Sequence, residues 1–562
     1  MASRRCGPCA WVLGVALAMA CAPTTITPLP ASRTQEELSA DDLTLHVRAL
    51  ADDSMLGRES GTDGNMRATA YIARELARIG VEPAGEAGTY FQTVPLAVRL
   101  PDHASVLLAG DIVIRGDGDL LPLRPFGGAP LGGRFDGAGV ETVYGGRLGG
   151  TLISPDSVRG RVVVFGARIG ADGQPVRQIL GVPGTVFDAY RNVAGVLIAG
   201  LEGLPGGAIN FLRQPTMVLP ATMPPPGIAA ARIGTRSAER LMGRSLDSLA
   251  IGARGLRVAG SFGFIERQPP ALSRNVIAVV RGRDPALRAT YVAVGSHSDH
   301  VGLAPVALDH DSVFAFNRVL RRSGANEPPR TPNGDPLARI RDIRDSLRAM
   351  RPSRRDSIFN GADDDASAVA VALELAEYFL RHPARRSILL VFHTAEEKGL
   401  FGASHFTDHP TVPRDSIIAQ VNMDQVSRGG PEDIEGAARR TLFVLGSRRI
   451  STPLGDLVDR LNRQPQNRFT LDYSLDAPSH PANAYCRSDH YMYARYGIPV
   501  VFLSAGWHPD YHMVTDEAQY ARADVMLGVA GFVRDIVQSV ADLGERLVRD
   551  RPAGDPGAPC RQ

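Results

Sequence analysis

The chain has 562 residues, 44% hydrophobic and 22% charged, with a formal net charge of +2. That is too long for one typical domain, and the balance is that of an ordinary globular protein. Its 62 basic and 60 acidic residues are interspersed, which excludes a charge-driven nucleic-acid binder. Lys398 is the single lysine; the arginine bias reads as a GC-rich genome rather than a phosphate-recognising surface.

Arg4 and Arg5 precede the apolar run Ala10–Met19, and Ala20–Cys21 follows. A basic start, a short apolar core and a small-residue cleavage site predict a signal peptide over 1–20, too short to be a stable membrane span. Leu17-Ala-Met-Ala-Cys21 also resembles a bacterial lipoprotein box, with Ala18 standing where the box prefers Leu. Cys21 would then carry a lipid that attaches the chain to a membrane; cleavage after Ala20 with ordinary secretion is the alternative. Both predict export, to the cell envelope (periplasm or outer membrane) or the medium. Residues 21–38, rich in Pro and Thr, read as a linker. Beyond Cys21 only Cys486 and Cys560 remain, enough for one disulfide in an oxidising compartment.

From Ser39 to Glu86 the pattern is helical with one break. Ala68, Ile72, Leu76 and Ile79 share a helical face, Gly80 supplies the stop, and Pro83 follows. The break is the polar, glycine-rich stretch Gly57–Gly64. From about Pro101 to Gly260 short apolar runs such as Val162–Phe165 and Gly195–Ile198 alternate with Gly/Pro turns, and no histidine occurs between His103 and His297. A β-rich inserted domain over 107–264 fits this texture. Buried-strand runs then return at Asn275–Val280, Tyr291–Gly295, Ile388–Phe392, Ile417–Val421 and Ile498–Leu503, with a helical stretch at Ala366–Leu380. The predicted fold class is α/β, with a mixed, mainly parallel central sheet flanked by helices. Pro499 restricts the last run to a strand start or an edge.

Chemical residues follow these runs. Glu396 and Glu397 come just after Ser387–His393, and adjacent carboxylates are costly unless a cation or a reacting proton occupies the site. His297 follows one strand, Asp364 stands at a helix entrance in Asn360-Gly-Ala-Asp-Asp-Asp-Ala-Ser367, Asp424 follows Ile417–Met423, and His512 follows the last run. Alone, each is most often structural or solvated. Together they fall at one edge of one sheet, where open α/β folds bind ligands. Imidazole with carboxylate suits zinc, and a bridging Asp would hold two ions about 3.5–4 Å apart.

The motifs Gly295-Ser-His-Ser-Asp-His300, Asn360–Ser367, Ala395-Glu-Glu397, Asn422-Met-Asp424 and Tyr511-His512, in this order, resemble those of metallopeptidase family 28, the co-catalytic di-zinc aminopeptidases and glutamate carboxypeptidases. The resemblance covers roughly 39–100 and 274–543. It implies a zinc peptidase domain over 39–106 and 265–545, two zinc ions per chain, and a peptide substrate. One zinc would sit on His297 and Asp424, the other on Glu397 and His512, with Asp364 bridging, since the family's bridging Asp stands three before the Ser that is Ser367. Asp363 and Asp365 are then structural. Asp299 would orient His297 by accepting its second N–H. Glu396, left without a metal, would be the general base that deprotonates the attacking water and later protonates the leaving amine.

Asp156–Phe165 and Gly195–Ala199 give 107–264 a likeness to a protease-associated domain inserted in that family's catalytic domain. Two departures stand out. Ala368 replaces a usual Gly, and His297 and Asp364 are 364 − 297 = 67 positions apart, which makes 302–355 an insertion beside the site. Leu337, Ile340, Ile343, Leu347 and Met350 form a helical stripe in it, which leaves open a surface helix, a roof over the cleft or a subunit contact. Residues 546–562 read as a flexible tail. The implied activity is that of an exported aminopeptidase. A carboxypeptidase, dipeptidase or glutaminyl-cyclase-like enzyme on the same fold is the alternative, and a non-catalytic receptor-like binding module the less favoured one.

Overall fold

Apolar strand runs and amphipathic helices assemble much as their periodicities demand. The structure, a computed structural model, describes residues 34–562 except 36, 117, 127–128, 224–226, 326–333 and 553. Residues 1–20, expected to be a signal peptide, and Cys21 lie outside the described residues. Every helix and strand named below belongs to the unit Glu36–Gln562. Among the described residues no helix is long and apolar enough to cross a membrane.

Five strands carry the site: β1 (Ser273–Val280), β2 (Tyr291–His297), β3 (Ser387–His393), β4 (Ile417–Met423) and β5 (Val500–Ser504). They lie in a nine-stranded sheet in the order β1-β3-β2-β4-β5, with further strands at both ends. β3, β2, β4 and β5 run parallel, whereas β1 pairs antiparallel with β3. The sheet is mixed because β1 reaches β2 through a connection too short for a helical crossover. Every residue of β3 is buried. Ile388, Leu390 and Phe392 enter one core and Leu389 and Val391 the other, the two-face alternation a central strand requires. Pro499 lies just before β5, where its missing N–H does no harm.

Helices α1 (Ala40–Leu50) and α2 (Asp63–Ile79) cover the first face together with α5 (Ala368–Arg381) and α6 (Ala523–Ala541). α2 buries Ala68, Ile72 and Leu76 and ends at Gly80, whose φ of 91° only glycine adopts cheaply. Fully burying each of the larger side chains is worth about 1.5–3 kcal/mol. Between α1 and α2 a turn of 3₁₀ helix, Asp53–Arg58, overlaps the first two residues of the expected Gly57–Gly64 loop, and α2 begins within its last two. Residues 106–262 contribute an eight-stranded sheet with its own two apolar clusters.

The insertion is built on a two-stranded stem, Leu303–Asp309 with Arg355–Ile358, topped by α3 (His310–Leu320) and α4 (Pro336–Met350). α4 buries none of its residues and leaves Leu337 and Met350 62% and 76% exposed. It is held by arginines: Arg348 donates to Asp309 and Arg351 to Asp311.

The tail differs from expectation. Its described residues form no helix or strand, yet it is fastened. Cys560 is bonded to Cys486 across a separation of 74, and Gln562 donates to Ala477 O at 2.9 Å and accepts from Tyr485 N–H at 3.0 Å. The tail's composition is polar, but a covalent link and backbone hydrogen bonds outweigh it. In the chain-entropy account a loop of that length stabilises by about 4 kcal/mol. Cys560→Ser is therefore expected to lower Tm and to speed proteolytic cleavage within 546–562, measured by calorimetry and by limited digestion followed by mass spectrometry.

Candidate metal centre

The parallel register places the chemistry. His297 ends β2 opposite His393, which ends β3, while Asp424 follows β4 and its N–H bonds to Leu503 O on β5. All these carboxyl ends lie at one edge, so His297, Glu396–Glu397 and Asp424 converge there. Two more pieces close over it: the turn entering α5, with a cis peptide between Asp364 and Asp365, and the loop after β5 carrying His512.

Asp364 is the shared centre. Its Oδ1 lies 3.2 Å from His297 Nε2, and its Oδ2 lies 3.0 Å from His512 Nε2. His297 Nε2 is 3.6 Å from Asp424 Oδ1, and His512 Nε2 is 3.0 Å from Glu397 Oε2. Two clusters result, His297–Asp364–Asp424 and His300–Asp364–Glu397–His512. His297 Nε2 and His512 Nε2 have no hydrogen-bond partner despite these short approaches. Two ligands about 2.0–2.1 Å from a tetrahedral zinc stand about 3.3–3.4 Å apart, so the spacing suits atoms gathered around a common ion. The residues present fit two such ions.

Sequence reasoning misses His300. Its Nδ1 lies 2.8 Å from Glu397 Oε1 and 3.7 Å from Asp364 Oδ2. The available signal is its position at the end of the same Gly295–His300 motif. Asp299 also acts differently from expectation. His297 Nδ1 is 3.1 Å from the Asp299 carbonyl but 3.8 Å from its carboxylate, and the latter accepts the Glu396 N–H at 3.1 Å. The tight turn leaves the carbonyl, rather than the side chain, facing the imidazole.

The other two aspartates of the triplet are spent on the backbone. Asp363 accepts the Ser427 N–H and O–H, both at 2.6 Å, and Asp365 accepts the His297 and Gln425 N–H groups at 3.0 and 3.2 Å. Burial pushes the Asp363 and Asp299 carboxyls up to about 6. Burial also opposes the charge on Asp364, but His300, His297 and His512 outweigh it and hold that carboxyl well below the usual range.

Arg58, from the break between α1 and α2, is 1% exposed. It donates to the carbonyls of Leu50, Gly361 and Asp364 at 2.9, 2.9 and 3.1 Å and also to that of Asn360, so it clamps the bridging turn from behind. Gly57 beside it has φ 67°, and a Cβ there would collide with Gly302 O.

A cleft of about 350 Å³ opens on the cluster, lined by Glu396 together with Asp364, Glu397 and Asp424, and by Phe502, Trp507 and Tyr511. Among the described residues, none between 302 and 355 lines it, so no described part of the insertion roofs it. Imidazoles and carboxylates sharing one aspartate, at the carboxyl edge of an α/β sheet, thus form two groups that could each hold a metal ion.

Residues 344–537 match the family model described as Peptidase family M28. That match covers about a third of the chain's length. A "Vacuolar membrane protease" of Schizosaccharomyces japonicus is 36% identical over 97 residues, 17% of this chain and 11% of that protein. A "Probable zinc metalloprotease" of Pyrenophora tritici-repentis is 37% identical over 73 residues, 13% of this chain and 17% of that protein. The chain thus spans less than a fifth of the length of these relatives. Among solved structures, an aminopeptidase from Aneurinibacillus sp. strain AM-1 aligns over 92% of this chain and 98% of its own, at 16% identity and a TM-score of 0.44. A zinc aminopeptidase from Bacillus subtilis aligns over 90% and 96%, at 15% identity and a TM-score of 0.44.

Two substitutions separate the adjacent aspartates. Asp364→Asn is expected to empty both clusters of metal. Asp363→Asn should keep the metal while lowering stability by about 1.5–3 kcal/mol, the range for a buried hydrogen bond to a charged group. Metal analysis and thermal unfolding of the two variants check this.

Arg58→Gln should lower both Tm and metal content, because four carbonyls of the bridging turn and α1 lose their donor. Retention of wild-type metal content would mean that the turn holds its shape unaided.

Proposed function

We propose that the chain is an exported di-zinc metallo-exopeptidase of aminopeptidase type that removes N-terminal residues from peptides. The observation that carries this reading is Asp364 shared between two imidazole–carboxylate clusters, with Glu396 beside them in an open cleft. His297, Asp364 and Asp424 would hold one ion; Asp364, Glu397 and His512 would hold the other, with His300 at its edge. Bound zinc supplies Lewis-acid polarisation of a carbonyl and lowers the pKa of water.

Among the described residues Glu396 is the one cleft-lining carboxylate that belongs to neither cluster, so it is free to take a proton and return it to the leaving amine. The backbone bond from Glu396 N–H to Asp299 fixes where that carboxylate starts. Phe502, Trp507 and Tyr511 give the cleft an aromatic lining suited to an apolar side chain. Export is supported by the leader-like 1–20 segment and by the Cys486–Cys560 disulfide, a bond that persists in oxidising compartments. The lipid on Cys21 and the protease-associated character of 107–264 belong to the same proposal.

Glu396→Gln keeps the shape of the side chain and removes the base. Its kcat is expected to fall by at least ~10²-fold with zinc content unchanged. The broader test is turnover of aminoacyl reporters and N-blocked dipeptides with and without a chelator. Chelator-sensitive release from unblocked substrates alone identifies an aminopeptidase, and release from N-blocked dipeptides moves the assignment to a carboxypeptidase.

A further inference from the structure

The insertion that the family resemblance does not account for is tied to the loop that carries His512. That loop, 505–517, contains no helix or strand, and His512 sits in it at φ 55°. A left-handed conformation is unfavourable for a residue with a Cβ, so surrounding contacts must hold it. Several of those contacts come from the insertion.

Asp510, two residues before His512 and fully buried, accepts from Asn317 Nδ2 at 2.9 Å and forms an ion pair with Arg318 Nη2 at 3.2 Å, both on α3. Its other side-chain donors are Thr515 Oγ1 at 2.7 Å, within the loop, and Arg428 Nη2 at 2.9 Å. On the far side, Glu517 lies 3.0 Å from His310 Nε2 at the start of α3 and pairs with Arg354 at the end of the insertion. The Ala325 N–H donates to Trp507 O at 3.0 Å, and Phe314 of α3 stacks on Tyr520 with ring centres 5.6 Å apart. The loop is thus fastened on both sides of its ligand. Through Asp516, which accepts the N–H groups of Asp363 and Asp364, the same loop also holds the bridging turn.

We infer that Asn317 and Arg318 of the insertion are positioning residues for the metal ligand His512, acting through Asp510. The inference rests on the two-metal reading. The insertion sets the affinity of the ion shared by His512, Glu397 and Asp364 while leaving the His297–Asp424 side to the sheet. The buried Asp510 carboxylate needs its α3 donors: without them it keeps only Thr515 and Arg428, and the loop relaxes out of the strained geometry that aims His512. Partners that orient a ligand from behind typically change metal affinity about 10–100-fold when removed.

The experiment is cobalt(II) or zinc titration of the metal-free full chain, followed by visible absorption and by metal analysis, on wild type, the double variant Asn317→Ala/Arg318→Ala, Arg318→Lys and Arg348→Ala. The double variant should bind its first ion as wild type does and its second about 10–100-fold more weakly, with kcat falling in step. Arg318→Lys should recover part of the second-site affinity, since it restores a cation toward Asp510. Arg348→Ala, which breaks only pairs inside the insertion, to Asp309 and Asp311, should titrate as wild type. If the double variant does not fold, the single variant Asn317→Ala carries the same expectation at smaller size. Two wild-type affinities in a folded double or single variant, or equal weakening of both ions, overturns the positioning role. A wild-type chain that binds fewer than two ions overturns the two-metal reading itself.

Discussion

Four carboxylates, those of Asp364, Glu396, Glu397 and Asp424, line one cleft, and Asp299, Asp363 and Asp365 are buried beside it. Like charges this close in a poorly hydrated site cannot all remain ionised without compensation. The structure deals with them in two groups. Asp363, Asp365 and Asp299 each accept from serine hydroxyls or backbone N–H groups, with one oxygen of Asp363 and one of Asp299 left without a hydrogen-bond partner. Asp364, Glu397 and Asp424 are left facing imidazoles at distances suited to a shared cation. That division, rather than any one residue, makes the cleft a candidate metal centre.

The scaffold around it follows from the same constraint. Ligands must be held without relaxing away from one another, and the parallel strands supply three of the five expected ones from their carboxyl ends in a register set by backbone hydrogen bonds. Asp364 comes from the turn before α5, where the neighbouring Asp365 accepts the N–H of His297 at the end of β2. Its rigidity is imported from two distant segments: Arg58 clamps its carbonyls, and Asp516 binds its N–H groups. Removing either would leave the bridging carboxylate correct in sequence but free to move.

Resemblance to a peptidase family points to candidate metal residues and leaves the insertion, the tail and the N-terminal break as incidental. Each is bound to the site or its rim. The tail bonds to Cys486 at the cleft, the break supplies Arg58, and the insertion grips the His512 loop. The roof suggested by the helical stripe of α4 is not what the described residues form: α4 rests on α3 and α3 rests on the loop, so the insertion acts from behind the site.

What the sequence determined by itself was the local part: which runs are buried strands, where they end, and that imidazoles and carboxylates cluster after those ends. Such features are legible because strand and helix periodicity, and the residues that stop them, are encoded within a few positions of the chain. The choice of Asp364 over its neighbours comes from likeness to a family motif; in the structure Asp364 belongs to both imidazole–carboxylate clusters. Tertiary structure alone decided that His300 joins the cluster, that Asp299 offers its carbonyl to His297, and that Arg58, Asn317 and Arg318 stand behind the ligands. Arg58 meets Asp364 across 306 positions, and Asn317 meets Asp510 across 193. A buried arginine or asparagine leaves no periodic trace of its partner, because the bond that gives it meaning exists only after the chain has closed over such distances.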